Sequence, residues 1–125
     1  MLISIPVSLG ELIDKITILE IKARHVHGDA LVHVEKELSL LQQSLEATEI
    51  ALDPALKAEL LEVNSQLWQI EDSIRDQERQ GCFERTFIEL ARAVYRTNDR
   101  RAEIKRRMNE RYGSTLVEQK LYQAY

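Results

Sequence analysis

Residues 53–81, DPALKAELLEVNSQLWQIEDSIRDQERQG, decide the fold class. Asp53 followed by Pro54 is the order expected of a helix N-cap with proline at the first helical position. Leu56, Leu60, Val63, Leu67, Ile70 and Ile74 then recur at steps of three and four, the spacing that lines one face of a helix. Gly81 stops the run, as glycine does just past a helix C-terminus. A helix with one apolar stripe needs other helices to cover it.

The flanking sequence supplies them. Downstream, a fourth helix is expected from about Phe83 to Tyr112, ended by Gly113, and Thr115 with Glu118 has capping-box spacing for a short last helix, Leu116 to Ala124. Upstream, Leu31, Val34, Leu38, Leu41, Leu45, Thr48 and Leu52 form a coiled-coil-like seam, predicting a second helix from about Ala30 to Leu52 with Asp29 as its cap. Ser8 and Glu11 have capping-box spacing for a first helix, Leu9 to His27, broken at Gly28-Asp29. Leu2 to Val7 reads as a short extended lead-in. The short connections predict antiparallel neighbours, so the expected fold is all-α: one domain over 1–125, an antiparallel helical bundle or pair of long hairpins, with four main helices and the short C-terminal one.

Composition agrees. Four Gly and two Pro in 125 residues leave few turn signals for a β-sandwich or barrel. One cysteine excludes a disulfide framework and any multi-cysteine zinc site. No segment reaches the ~18 apolar residues of a membrane span, and the opening lacks the basic region and cleavage site of a secretory signal. A cytoplasmic location is expected, with Cys82 a free thiol. The net charge of −4 gives no overall attraction to nucleic acid or anionic membrane.

The charge is unevenly spread. The first 62 residues carry 5 basic and 11 acidic side chains, and the remaining 63 carry 12 and 10. Arg85, Arg92, Arg96, Arg100, Arg107 and Arg111 fall on one side of the fourth helix, a stripe suited to phosphate, an acidic partner or another protomer. The stripe lacks interleaved aromatics, which counts against nucleic acid.

Other polar residues share the core side of that helix. Asn98, Arg101 and Lys105 lie beside Phe87, Ala91, Val94 and Met108, and buried cations need partners. Glu11 and Asp14 on the first helix, and Glu71 and Asp72 on the third, are the available acids. Two arrangements fit: an internal salt-bridge network, or a pocket for an anionic small molecule. In the pocket, Lys15, Arg101 and Lys105 hold the anion, Asp14 and Asp72 orient them, Trp68 and Tyr95 form the wall, and Asn98 supplies a hydrogen bond. In the first helix, Leu9, Leu12, Ile13, Ile16, Leu19, Ala23 and Val26 form one apolar face and Ile18 and Ile21 a second, so this helix is central or lies in an interface. His25, His27 and His33 read as turn histidines, and neither metal nor cofactor is expected.

Three segments resemble a bacterial family of small helical proteins of unknown function: Pro6 to Lys22 (PVSLGELIDKITILEIK), Leu67 to Asp72 (LWQIED) and Phe87 to Asp99 (FIELARAVYRTND), followed by Ile104-Lys105. The blocks span nearly the whole chain. The resemblance implies no activity. It implies a partner connected with polysaccharide biosynthesis, and it adds weight to Glu11, Asp14, Lys15, Lys22, Trp68, Glu71, Asp72, Tyr95, Asn98, Asp99 and Lys105.

The expected function is therefore a non-catalytic, self-associating binding or accessory module, a homodimer, whose polar cluster between the first, third and fourth helices binds an anionic molecule or a partner. The alternative is a small helical enzyme acting on an anionic metabolite or nucleotide. Ile70-Glu71-Asp72-Ser73 with Gln77, and Leu12-Ile13-Asp14, are similar to segments of the helical chorismate mutases. The clamping arginines of that fold's first helix, however, fall here at Gly10 and His27. Glu11 and Asp14 form one E-x-x-D pair similar to those of Mg²⁺-dependent helical nucleotide pyrophosphohydrolases, but Glu71-Asp72 and the Asp99-to-Glu103 segment are spaced differently.

Overall fold

The computed structural model describes residues 1–116, 119 and 121–125. Four helices run in order: α1 (Leu9–Ala23), α2 (Gly28–Ala47), α3 (Pro54–Gln80) and α4 (Arg85–Arg111). There is no strand among the described residues.

The helix ends follow local chemistry. The Ser8 hydroxyl caps α1 by accepting the Glu11 amide at 3.1 Å. The reciprocal half of the expected capping box is not made, because the Glu11 carboxylate turns to Lys105 instead. α1 stops four residues before His27: the amides of Arg24, His25 and Val26 close a turn onto the carbonyls of Ile21 and Lys22. His27 precedes α2 without a side-chain cap, and Gly28, at φ 60°, opens the helix rather than only breaking the one before.

α2 also ends early, so Thr48 and Leu52 of the expected seam lie outside it. The Thr48 hydroxyl donates to the Leu45 carbonyl at 2.6 Å, competing for a helical acceptor, and Glu49 turns left-handed at φ 59°. α3 has its expected ends: Asp53 accepts the Ala55 amide at 2.9 Å, and Gly81 turns left-handed at φ 67°. α4 begins two residues after Phe83, whose ring packs edge-on against Phe87. Beyond Gly113 the described residues are not helical. Thr115, Leu116, Gln119 and 121–125 therefore do not form the expected last helix, and Glu118 of its capping box lies outside the described residues.

α1 is the central helix and packs against all three others, while α3 and α4 form an antiparallel pair. Ile13, Ile16, Leu60 and Met108 are fully buried between these three, with Leu9, Leu12, Leu56, Val63 and Ile104 around them. Ile21 is buried and Ile18 half-buried, so the second apolar side of α1 is covered within the chain. Among the described helices α2 packs on α1 alone; it buries no residue completely, though Leu38, Leu41 and Leu45 reach the core edge.

The helices differ in length. α1 has 15 residues, about 22 Å, whereas α3 and α4 have 27 each, about 40 Å. α3 buries nothing beyond Asn64, and α4 buries nothing before Thr97. The far halves of α3 and α4 thus form a two-helix arm extending past the layer that α1 supplies.

Candidate functional site

The polar cluster forms where α1 crosses α4. The Gly10 amide donates to Asn109 Oδ1 at 2.8 Å. A Cβ on Gly10 would lie 2.7 Å from the Lys105 carbonyl oxygen and 3.0 Å from Lys105 Cβ, so the absence of a side chain sets the helix spacing.

One and two turns along, the charges meet. Lys105, with its side chain 6% exposed, donates to Glu11 Oε2 at 2.8 Å and lies 3.8 Å from Asp14 Oδ2. Arg101 grips Asp14 with two nitrogens, Nε at 2.8 Å from Oδ1 and Nη2 on Oδ2. Asn64 of α3 completes the group: its amide donates to Asp14 Oδ1 and to Thr17 Oγ1, both at 2.9 Å. The Thr17 hydroxyl donates in turn to the Asp14 carbonyl at 2.8 Å.

Burial by itself would raise the Asp14 pKa. The hydrogen bonds from Arg101 and Asn64, with the Arg101 and Lys105 charges, outweigh it and hold Asp14 below its ordinary value. Burial likewise opposes ionisation of Glu11, and the Lys105 hydrogen bond and charge more than offset it. Two carboxylates thus face two cations. Arg101 and Lys105 ion-pair with Asp14 and Glu11, the two acids that the nucleotide-hydrolase reading would give to a metal.

Of the expected pocket residues, Asp14, Asn98, Arg101 and Lys105 come together, and the others lie elsewhere. Lys15 is exposed and pairs with Glu11 at 3.5 Å. Asp72 is exposed on α3, whereas Asp14 pairs with Arg101 and, together with Glu11, holds Lys105; Glu71 pairs with Arg75 on its own helix. Trp68 stacks on His25 at 4.7 Å, while Tyr95 meets Tyr125 edge-on at 4.9 Å. The two rings therefore build no common wall. Asn98 accepts a long 3.4 Å contact from Arg101. A polar cleft of about 1000 Å³ lies over Arg101, Lys105 and Asn98, bordered by Gln119 and Tyr122. A smaller one of about 600 Å³ lies at Tyr95 and Asp99, under Tyr125.

Sequence reasoning missed Gly10, Thr17, Asn64 and Asn109. Asn64 and Asn109 did leave a signal, since each is a polar residue beside a core position, next to Val63 and Met108. Among the described residues no group of three or more His, Cys, Asp or Glu is placed to hold a metal. Cys82 is exposed.

The stripe divides in two. Arg111 reaches Asp53 at 2.5 Å, and Arg107 reaches Glu59 at 2.8 Å. Arg100 meets the neutral Gln66 at 2.6 Å, and Arg85 pairs along its own helix with Glu89 at 3.0 Å. Arg92 and Arg96 are exposed and make no ion pair with a described residue.

On the arm, Ile70, Ile74, Phe87, Leu90, Ala91 and Val94 are only half-buried, and Phe83 and Ile88 are 52% and 54% exposed. No described helix is long and apolar enough to cross a membrane.

The sequence profile of a family described as "Family of unknown function (DUF6165)" matches residues 3–125. No curated protein and no solved structure matches the chain.

Proposed function

Because the chain belongs to the DUF6165 family of unknown function, its role is read from its own surfaces, and we propose a non-catalytic module that self-associates through the α3–α4 arm. The observation that carries this reading is the half-covered seam. In the body of the bundle α1 lies over the α3–α4 pair; on the arm the same stripe continues with no third helix among the described residues. Two helices alone leave one side of each apolar stripe in water, and two such hairpins packed together complete a four-helix bundle.

A second copy suits this surface by charge as well. Residues 70–96 carry six acidic and five basic side chains, so the arm is close to neutral and holds both signs. Two-fold pairing brings acid and base together without a net repulsion. The internal pairing of Glu11, Asp14, Arg101 and Lys105 supports an interaction role over turnover at the cluster. A cytoplasmic location fits this reading, as does docking of the dimer onto a larger biosynthetic enzyme.

The test is sedimentation equilibrium on the wild type and on a Phe83→Glu, Ile88→Glu variant. Both side chains are exposed, so the monomer fold should survive, which circular dichroism checks. The wild type is expected to be a dimer at micromolar concentration and the variant a monomer. A monomeric wild type, or a variant that dimerises equally well, would refute the reading.

A further inference from the structure

The arginine stripe changes character along α4. Toward the C-terminus the stripe meets acceptors on the facing helix: Arg111 with Asp53 at the cap of α3, then Arg107 with Glu59 and Arg100 with Gln66 in one antiparallel register. Steps of seven keep the same face of a packed helix. Continuing from Glu59 and Gln66, that row of α3 reads Ser73 and Gln80, with Gln69, Asp76 and Gln77 beside it, and Asp76 pairs with Arg79 on its own helix. The row therefore passes from carboxylate to amide to hydroxyl, and it holds no acid over the arm. On α4 the positive charge persists as Arg100, Arg96 and Arg92, each one turn from the next and all exposed. Glu89, three residues before Arg92, pairs with Arg85 instead.

We infer that this side of the arm binds an oligophosphate, a ligand with several adjacent phosphate groups. Three guanidinium groups without a carboxylate counter-charge in their own row give the site its sign. Guanidinium groups donate in pairs to phosphate oxygens. Gln69 and Ser73, level with Arg96 and Arg92 in that register, add neutral donors, which suit a tetrahedral group with several acceptor oxygens better than a carboxylate with two. This surface lies along the arginine row rather than the apolar seam, so the inference stands independently of self-association.

The experiment is a calorimetric titration with sodium tripolyphosphate at low salt. It uses the wild type, Arg92→Ala with Arg96→Ala, and Arg107→Ala, with tetraglutamate as a carboxylate probe. Repeating it on the Phe83→Glu, Ile88→Glu variant separates ligand binding from any change in oligomeric state. Tripolyphosphate is expected to bind and to weaken as salt rises. The double variant should lose roughly tenfold or more in affinity, whereas Arg107→Ala, whose guanidinium is already held by Glu59, should bind as the wild type does. No binding, equal binding by the double variant, an equal loss in Arg107→Ala, or tetraglutamate binding as tightly would each overturn the inference.

Discussion

Gly10 is the residue on which the α1–α4 contact turns. It sits one residue after the start of α1, where glycine costs helix stability relative to alanine. What it gains is proximity: its amide bonds Asn109 Oδ1, and the Lys105 backbone lies where a Cβ would be. Gly10→Ala should therefore destabilise the protein by about 1–3 kcal/mol despite alanine's better helix propensity. Urea unfolding measures this, and an unchanged or raised midpoint would mean that the two helices separate at little cost. The residue scale is also where sequence reading was least complete. Arg101, Lys105 and their acids Glu11 and Asp14 were legible because charges on a core-facing side must be answered. Gly10 and Thr17 were not, since each is explained only by a neighbour on another part of the chain.

At the scale of elements, α2 is the loosest attachment. Among the described helices it packs on α1 alone and has no fully buried residue, although its apolar seam is the most regular in the sequence. Regular spacing specifies a helix and a face; it does not specify how many neighbours that face will find. Amide hydrogen exchange should accordingly show α2 opening at a lower free energy than the middle of α1, with Ile13 and Ile16 among the slowest amides. Equal protection in α1 and α2 would argue that α2 is covered by something further. The ends of α1 and α2 were misjudged for a related reason. Apolar spacing runs on through 24–27 and 48–52, but backbone turns and the Thr48 hydroxyl take the carbonyls that a continuing helix would need.

For the whole molecule, the buried network ties stability to pH. Asp14 and Glu11 ionise below their ordinary values in the folded protein. In the unfolded chain they return to about 3.9 and 4.3, so as pH falls the unfolded state takes up protons first. Their contribution is complete above those values and is lost as pH drops through the lower folded-state pKa values. The urea midpoint should thus change little from roughly pH 7 to 5 and fall steeply below about pH 4. A midpoint that stays level far into acid would mean that these carboxylates contribute nothing net to stability.

The sequence by itself determined the helical class, the antiparallel packing of α3 and α4 with both ends of α3, and the main apolar face of α1. These follow from short-range rules: periodicity, capping residues, and the cost of burying unpaired charge. Only the tertiary structure decided that Trp68 and Tyr95 stand apart, that Asp14 and Glu11 are the acids that meet Arg101 and Lys105, and that α1 stops short of the arm. Those outcomes depend on helix lengths and on which neighbour reaches each level of the bundle. Distances between groups far apart in the chain are set by packing, and no single helix pattern encodes them.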